Sequence, residues 1–107
     1  MQTPVNDATT AFLRAIRVNF MNFAGFFLDE VRSRSWASAT FTGARHELAF
    51  RLEGAGAEAE AERFLGDLDA AEFDLRGHIL ADIALVSEER RPGCAQIRLE
   101  ALTVEDG

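Results

Sequence analysis

Apolar residues recur along this chain first at intervals of three or four and then at intervals of two, and this change of period marks out the predicted elements. Phe12, Ile16, Phe20, Phe23, Phe27 and Val31 keep one face of a helix apolar. The spacing predicts a helix from about Ala8, capped by Asn6 or Asp7, to Arg32–Ser35, with residues 1–6 as a loose tail. Gly25 weakens its middle, so a kink or break is expected there. From Trp36 to Glu53 the pattern alternates, as in a β-hairpin. Gly43-Ala44 suits a two-residue turn, which pairs Phe41 with His46, Ala39 with Leu48 and Ala37 with Phe50. The expected core face of this hairpin is Ala37, Ala39, Phe41, His46, Leu48, Phe50 and Leu52.

Gly54 to Gly56 reads as a joint, followed by a second helix over about Ala57–Asp69 with the stripe Ala57, Ala61, Phe64, Leu65 and Leu68. A second hairpin follows, with strands near 73–89 and 95–105. Its first strand is unusual. Within Gly77–Ser87, Ile79, Ala81, Ile83 and Leu85 point to one side, and Leu80, Ala84 and Val86 to the other, with Asp82 near the middle. A strand buried on one side alternates apolar and polar residues, so this one needs cover on a second face. Facing Ile83 and Leu85 with Ile97, Leu99 and Ala101 requires an odd-length loop around Arg91-Pro92-Gly93. That register sets Asp82 opposite Leu102, Ala84 opposite Glu100 and Val86 opposite Arg98.

The predicted fold is therefore a single α+β domain over residues 1–107 in the order αββαββ, a four-stranded antiparallel sheet with two helices on one face. The order equals the ferredoxin-like βαββαβ arrangement with its first strand moved to the end. The other sheet face is expected to carry Trp36, Arg45, Glu47, Arg51, His78, Leu80, Asp82, Val86, Arg98, Glu100, Leu102 and Val104.

Composition narrows the function classes. The net charge is −7, and it is uneven: residues 1–53 hold six Arg against five acids, residues 54–107 five Arg against thirteen. Without a basic stripe, nucleic acid is not an expected partner. All eleven basic residues are Arg, and the single cysteine, Cys94, cannot form an intramolecular disulfide, which fits a reducing cytoplasm. The apolar run Val18–Leu28 is shorter than the ~20 residues that span a bilayer, and Asn19 and Asn22 interrupt it. Membrane association is not expected either.

No recognised metal spacing links His46, His78 and Cys94, and no cofactor is expected. Gly54-Ala55-Gly56 lacks the rest of a phosphate loop, and Glu58 and Glu60 would repel phosphate. A buried His46 bonded to a carbonyl is the expected state of that residue. The candidate site is the second sheet face, with Trp36, Arg51, His78, Leu80, Asp82, Arg98, Glu100 and Leu102 as ligand or interface residues. A contiguous apolar patch of this kind predicts self-association as a homodimer, able to take a small-molecule ligand on the face. The alternative is a small dimeric enzyme with Asp82 as general base, its charged form disfavoured by apolar neighbours, and Arg51 or Arg98 holding an anionic substrate. His78 lies about 13 Å from Asp82 along an extended strand, too far for a direct acid–base pair.

Overall fold

The computed structural model describes residues 4–68, 73, 75 and 77–105. Six elements follow one another: α1 (Pro4–Val18), β1 (Phe26–Ala37), β2 (Thr42–Glu53), α2 (Ala57–Gly66), β3 (His78–Arg91) and β4 (Cys94–Glu105). The four strands form one antiparallel sheet in the order β1-β2-β4-β3. This is the α+β architecture and the αββαββ order that the hydrophobic periods predict. Both helices pack on the same side, α1 against β1, β2 and β4, and α2 against β2, β3 and β4.

The core lies between the helices and the two central strands. From β2 it takes Ala44, His46, Leu48, Phe50 and Leu52, and from β4 Ala95, Ile97, Leu99, Ala101 and Thr103, all buried. Phe12 and Ile16 of α1 and Ala57, Ala61 and Phe64 of α2 close it from above. Phe20 joins the two halves: its ring lies 5.3 Å from Phe26, 5.4 Å from Phe50 and 5.0 Å from Phe64. Leu75 packs with Ala11 and Ala15, and Phe73 and Leu80 lean on that cluster.

The first helix is shorter than its stripe predicts. It begins at Pro4, inside the expected tail, and ends at Val18. Tight backbone bonds then turn the chain, from Asn19 N–H to the Ile16 carbonyl and from Phe20 N–H to the Arg17 carbonyl. The Asn19 side chain donates to the Ala15 carbonyl at 3.0 Å, satisfying one of the acceptors that a helix end leaves open. Gly25 is the entry to β1 rather than a kink. A Cβ there would stand 1.8 Å from the Glu53 carbonyl oxygen, so only glycine admits the close approach that starts the β1–β2 ladder.

The first hairpin accordingly turns at Ser38–Phe41, not at Gly43-Ala44. Ala37 pairs with Thr42, and the Ser38 hydroxyl accepts from the Phe41 N–H at 3.1 Å. Ala37, Ala39 and Phe41, expected in the core, are exposed. His46, Leu48, Phe50 and Leu52 are in the core as expected, because β2 itself keeps its alternation. Gly43 sits inside β2 where the backbone of β4 passes, a Cβ there meeting the Thr103 carbonyl oxygen at 2.0 Å.

In the second hairpin Pro92-Gly93 alone connect Arg91 to Cys94, with Gly93 at φ 73°. Asp82 does face Leu102, Ala84 faces Glu100 and Leu85 faces Leu99. The parity change expected of an odd loop comes instead from a bulge: Val86 is the extra residue, and Ser87, not Val86, faces Arg98. A second bulge at Ala81 turns the start of the strand over.

Candidate functional site

The three strand registers lay out the sheet face turned away from the helices. Across β1, β2, β4 and β3, its rows run Trp36–Gly43–Val104–Ile79, Arg34–Arg45–Leu102–Asp82, Arg32–Glu47–Glu100–Ala84, Glu30–Ala49–Arg98–Ser87 and Phe27–Arg51–Gln96–Glu89. Side chains alternate strictly across a strand, so each row is a line of neighbours about 4.8 Å apart in strand spacing. Trp36, Val104, Ile79 and Leu102 gather at one end, the rows beyond them are largely charged, and Phe27 stands at the opposite end.

Six of the eight residues singled out from the sequence lie on this face: Trp36, Arg51, Asp82, Arg98, Glu100 and Leu102. His78 and Leu80 do not. The bulge at Ala81 shifts the register, so His78 pairs with Glu105 and Leu80 with Thr103, on the side of the helices. Leu80 packs there against the core, while Ile79, expected inside, stands 51 % exposed on the open face. Val86 leaves the expected row in the same way, as the bulged residue.

The two arginines proposed as partners of Asp82 are already engaged elsewhere. Arg51 pairs with Asp29, the bulged residue of β1, and donates to Glu53 at 2.7 Å, contacts that raise its pKa. Its guanidinium also lies 4.8 Å over the Phe27 ring. Arg98 reaches Glu30 at 3.3 Å. Asp82 is exposed, and among the described residues it forms no ion pair. Among the described residues it is not enclosed by the apolar neighbours expected of it. Arg34 has no place in the predicted site because its stretch reads as helix; its pairing with Arg45 emerges only from the β1–β2 register.

A second constellation lies on the buried face. Thr9 Oγ1 donates to Ser33 Oγ at 2.6 Å, and Ser33 Oγ is 2.7 Å from His46 Nδ1. On the other side of the ring, Nε2 lies 3.0 Å from Thr103 Oγ1, which donates to the Ala44 carbonyl at 3.3 Å. Every group is satisfied when the neutral ring carries its proton on Nε2, accepting from Ser33 and donating to Thr103. The ring stacks on Phe12 at 5.3 Å. His46 therefore bonds hydroxyls rather than the single carbonyl expected.

Serine, imidazole and a third hydroxyl in series have the connectivity of a nucleophile, a base and its orienting group. The electrostatics oppose that use. His46 is fully enclosed, and burial, helped by the nearby His78, lowers its pKa to about 4. A base that weak takes up little proton at neutral pH. What the series does is tie α1, β1, β2 and β4 together through polar groups that would otherwise be buried without partners.

Among the described residues, no helix is long and apolar enough to cross a membrane. Comparison of the chain with protein-family models, curated proteins and solved structures finds no match.

Proposed function

We propose that this chain is a homodimerising module whose interface is the open face of its sheet. The observation that carries this reading is the row Trp36–Gly43–Val104–Ile79 with Leu102 beside it, an apolar band crossing all four strands at one end of a face that none of the described elements covers. Apolar side chains grouped on a face left to water lower the free energy when water is excluded from them. The charged rows below the band account for the orientation of the contact more than its strength, since exposed ion pairs contribute about 0–1 kcal/mol each.

A second copy of the chain fits this face because an interface between identical subunits needs a self-complementary surface, and the band is continuous with charges of both signs. Sedimentation equilibrium of the full chain over the micromolar range tests the reading. A reversible monomer–dimer equilibrium is the expected result, and a strict monomer at the highest concentrations overturns it.

A further inference from the structure

The charges of the open face divide into two groups. Towards the Phe27 end, Glu89 apart, they neutralise one another within the chain: Glu30 lies 2.7 Å from Arg32 and 3.3 Å from Arg98, and Arg51 sits between Asp29 and Glu53. Beside the apolar band they do not. Arg34, Arg45, Asp82 and Glu100 form no ion pair among the described residues. Glu47 on β2 is likewise without an ion pair among the described residues; of the other four, both arginines stand on β1 and β2 and both carboxylates on β4 and β3. Arg34 and Arg45 even stand directly opposite each other, an unfavourable arrangement for like charges left alone.

A two-fold axis parallel to the strands, lying over the seam between β2 and β4, exchanges β1 with β3 and β2 with β4 at the same height. Under that operation Trp36 comes over Ile79 of the second copy, and Arg34 over Asp82 of the second copy. Arg45 comes over Leu102 of the second copy, whose Glu100 lies two residues along the same strand, about 7 Å away and within reach of an arginine.

We propose that two copies of this chain pack sheet to sheet about this axis, with Arg34 of each copy meeting Asp82 of the other and Arg45 meeting Glu100. The inference rests on the dimer reading above and adds its register. Arg34, Arg45, Asp82 and Glu100 each gain an opposite charge, and every contact occurs twice, as a two-fold interface requires. Glu47 is the group that does not fit, since it would face Glu100 of the second copy. Five rows across four strands cover about 650 Å², somewhat below the roughly 800 Å² per partner of a standard interface, which suits a reversible dimer.

The test is a charge exchange in the full chain, read by sedimentation equilibrium. Arg34→Glu and Asp82→Arg are each expected to weaken dimerisation at least about tenfold, and the double variant to recover to within about threefold of the parent. Both positions are exposed, and circular dichroism checks that the variants fold. Should either variant misfold, Arg34→Gln and Asp82→Asn remove the same pair without introducing like charges, and each is expected to weaken dimerisation. Single variants that dimerise as the parent does, or a double variant that fails to recover, overturn this register and leave the open-face dimer standing. A parent chain that is itself monomeric overturns both.

Discussion

His46 is where the chemistry of a single residue bears most on stability. Its ring is neutral in the folded protein, with a pKa near 4 against 6.5 for an unperturbed histidine, because burial disfavours the imidazolium and the adjacent His78 adds repulsion. The unfolded chain therefore binds a proton more readily than the folded one. The stabilisation is whole above pH 6.5 and is lost as the pH falls from there through about 4, up to about 3 kcal/mol in all. Urea unfolding at pH 7 and pH 4.5 measures the loss. His46→Gln, which cannot titrate, is expected to start less stable and to show a shallower decline; an unchanged decline would mean that His46 does not carry it. That His46 faces the core was readable from the alternation of β2. Its partners Ser33 and Thr9 were not, since both lay in a stretch whose period reads as one continuous helix.

Among the elements, β1 is the one that sequence patterning missed, and the cause is arithmetical. A spacing of four residues satisfies the 3.6 period of a helix and also the period of two of a strand. Phe23, Phe27 and Val31 therefore extend the helical stripe on paper while belonging to a turn and a strand. The bulge at Asp29 hides the alternation further, placing Phe27 on the open face and Val31 on the core side. Glycine was the available signal: Gly25 marks a close backbone approach, not a weak point in a helix. Gly25→Ala forces the start of β1 away from Glu53, and the cost is expected to be several kcal/mol, well beyond the ~1 kcal/mol that separates alanine from glycine in a helix, where the change would stabilise. Chemical denaturation distinguishes the two, because the helical reading predicts a gain. In β3 the bulge at Val86 did what an odd loop was expected to do, the bulge at Ala81 turned the start of the strand over, and no residue type announces either.

For the whole molecule, the unusual strand Gly77–Ser87 turns out to lie at the edge of the sheet. Its two apolar sides do not imply burial on both faces. Ile83 and Leu80 pack on the core, whereas Ile79, Leu85 and Val86 are exposed. Ile79 belongs to the apolar band of the open face, so Ile79→Arg separates folding from association. In a single chain the change is at an exposed position and is expected to move stability by no more than about 0.5 kcal/mol. Dimerisation, measured by light scattering across a concentration series, is expected to be lost. A dimer that survives this variant would place the interface elsewhere on the molecule.

What the sequence by itself determined is the α+β class, the αββαββ order of elements, and the core faces of β2, α2 and β4. Local periodicity is enough for these, because one buried side dictates the alternation of each element. Tertiary structure alone decided where α1 gives way to β1, which residues of β3 face outward, and which charges remain unpaired. Those depend on bulges and on backbone contacts between strands distant in sequence, at Gly25 with Glu53 and Gly43 with Thr103. A bulge costs one residue of register and no change of composition, so a linear pattern carries no trace of it until the partner strand is in place.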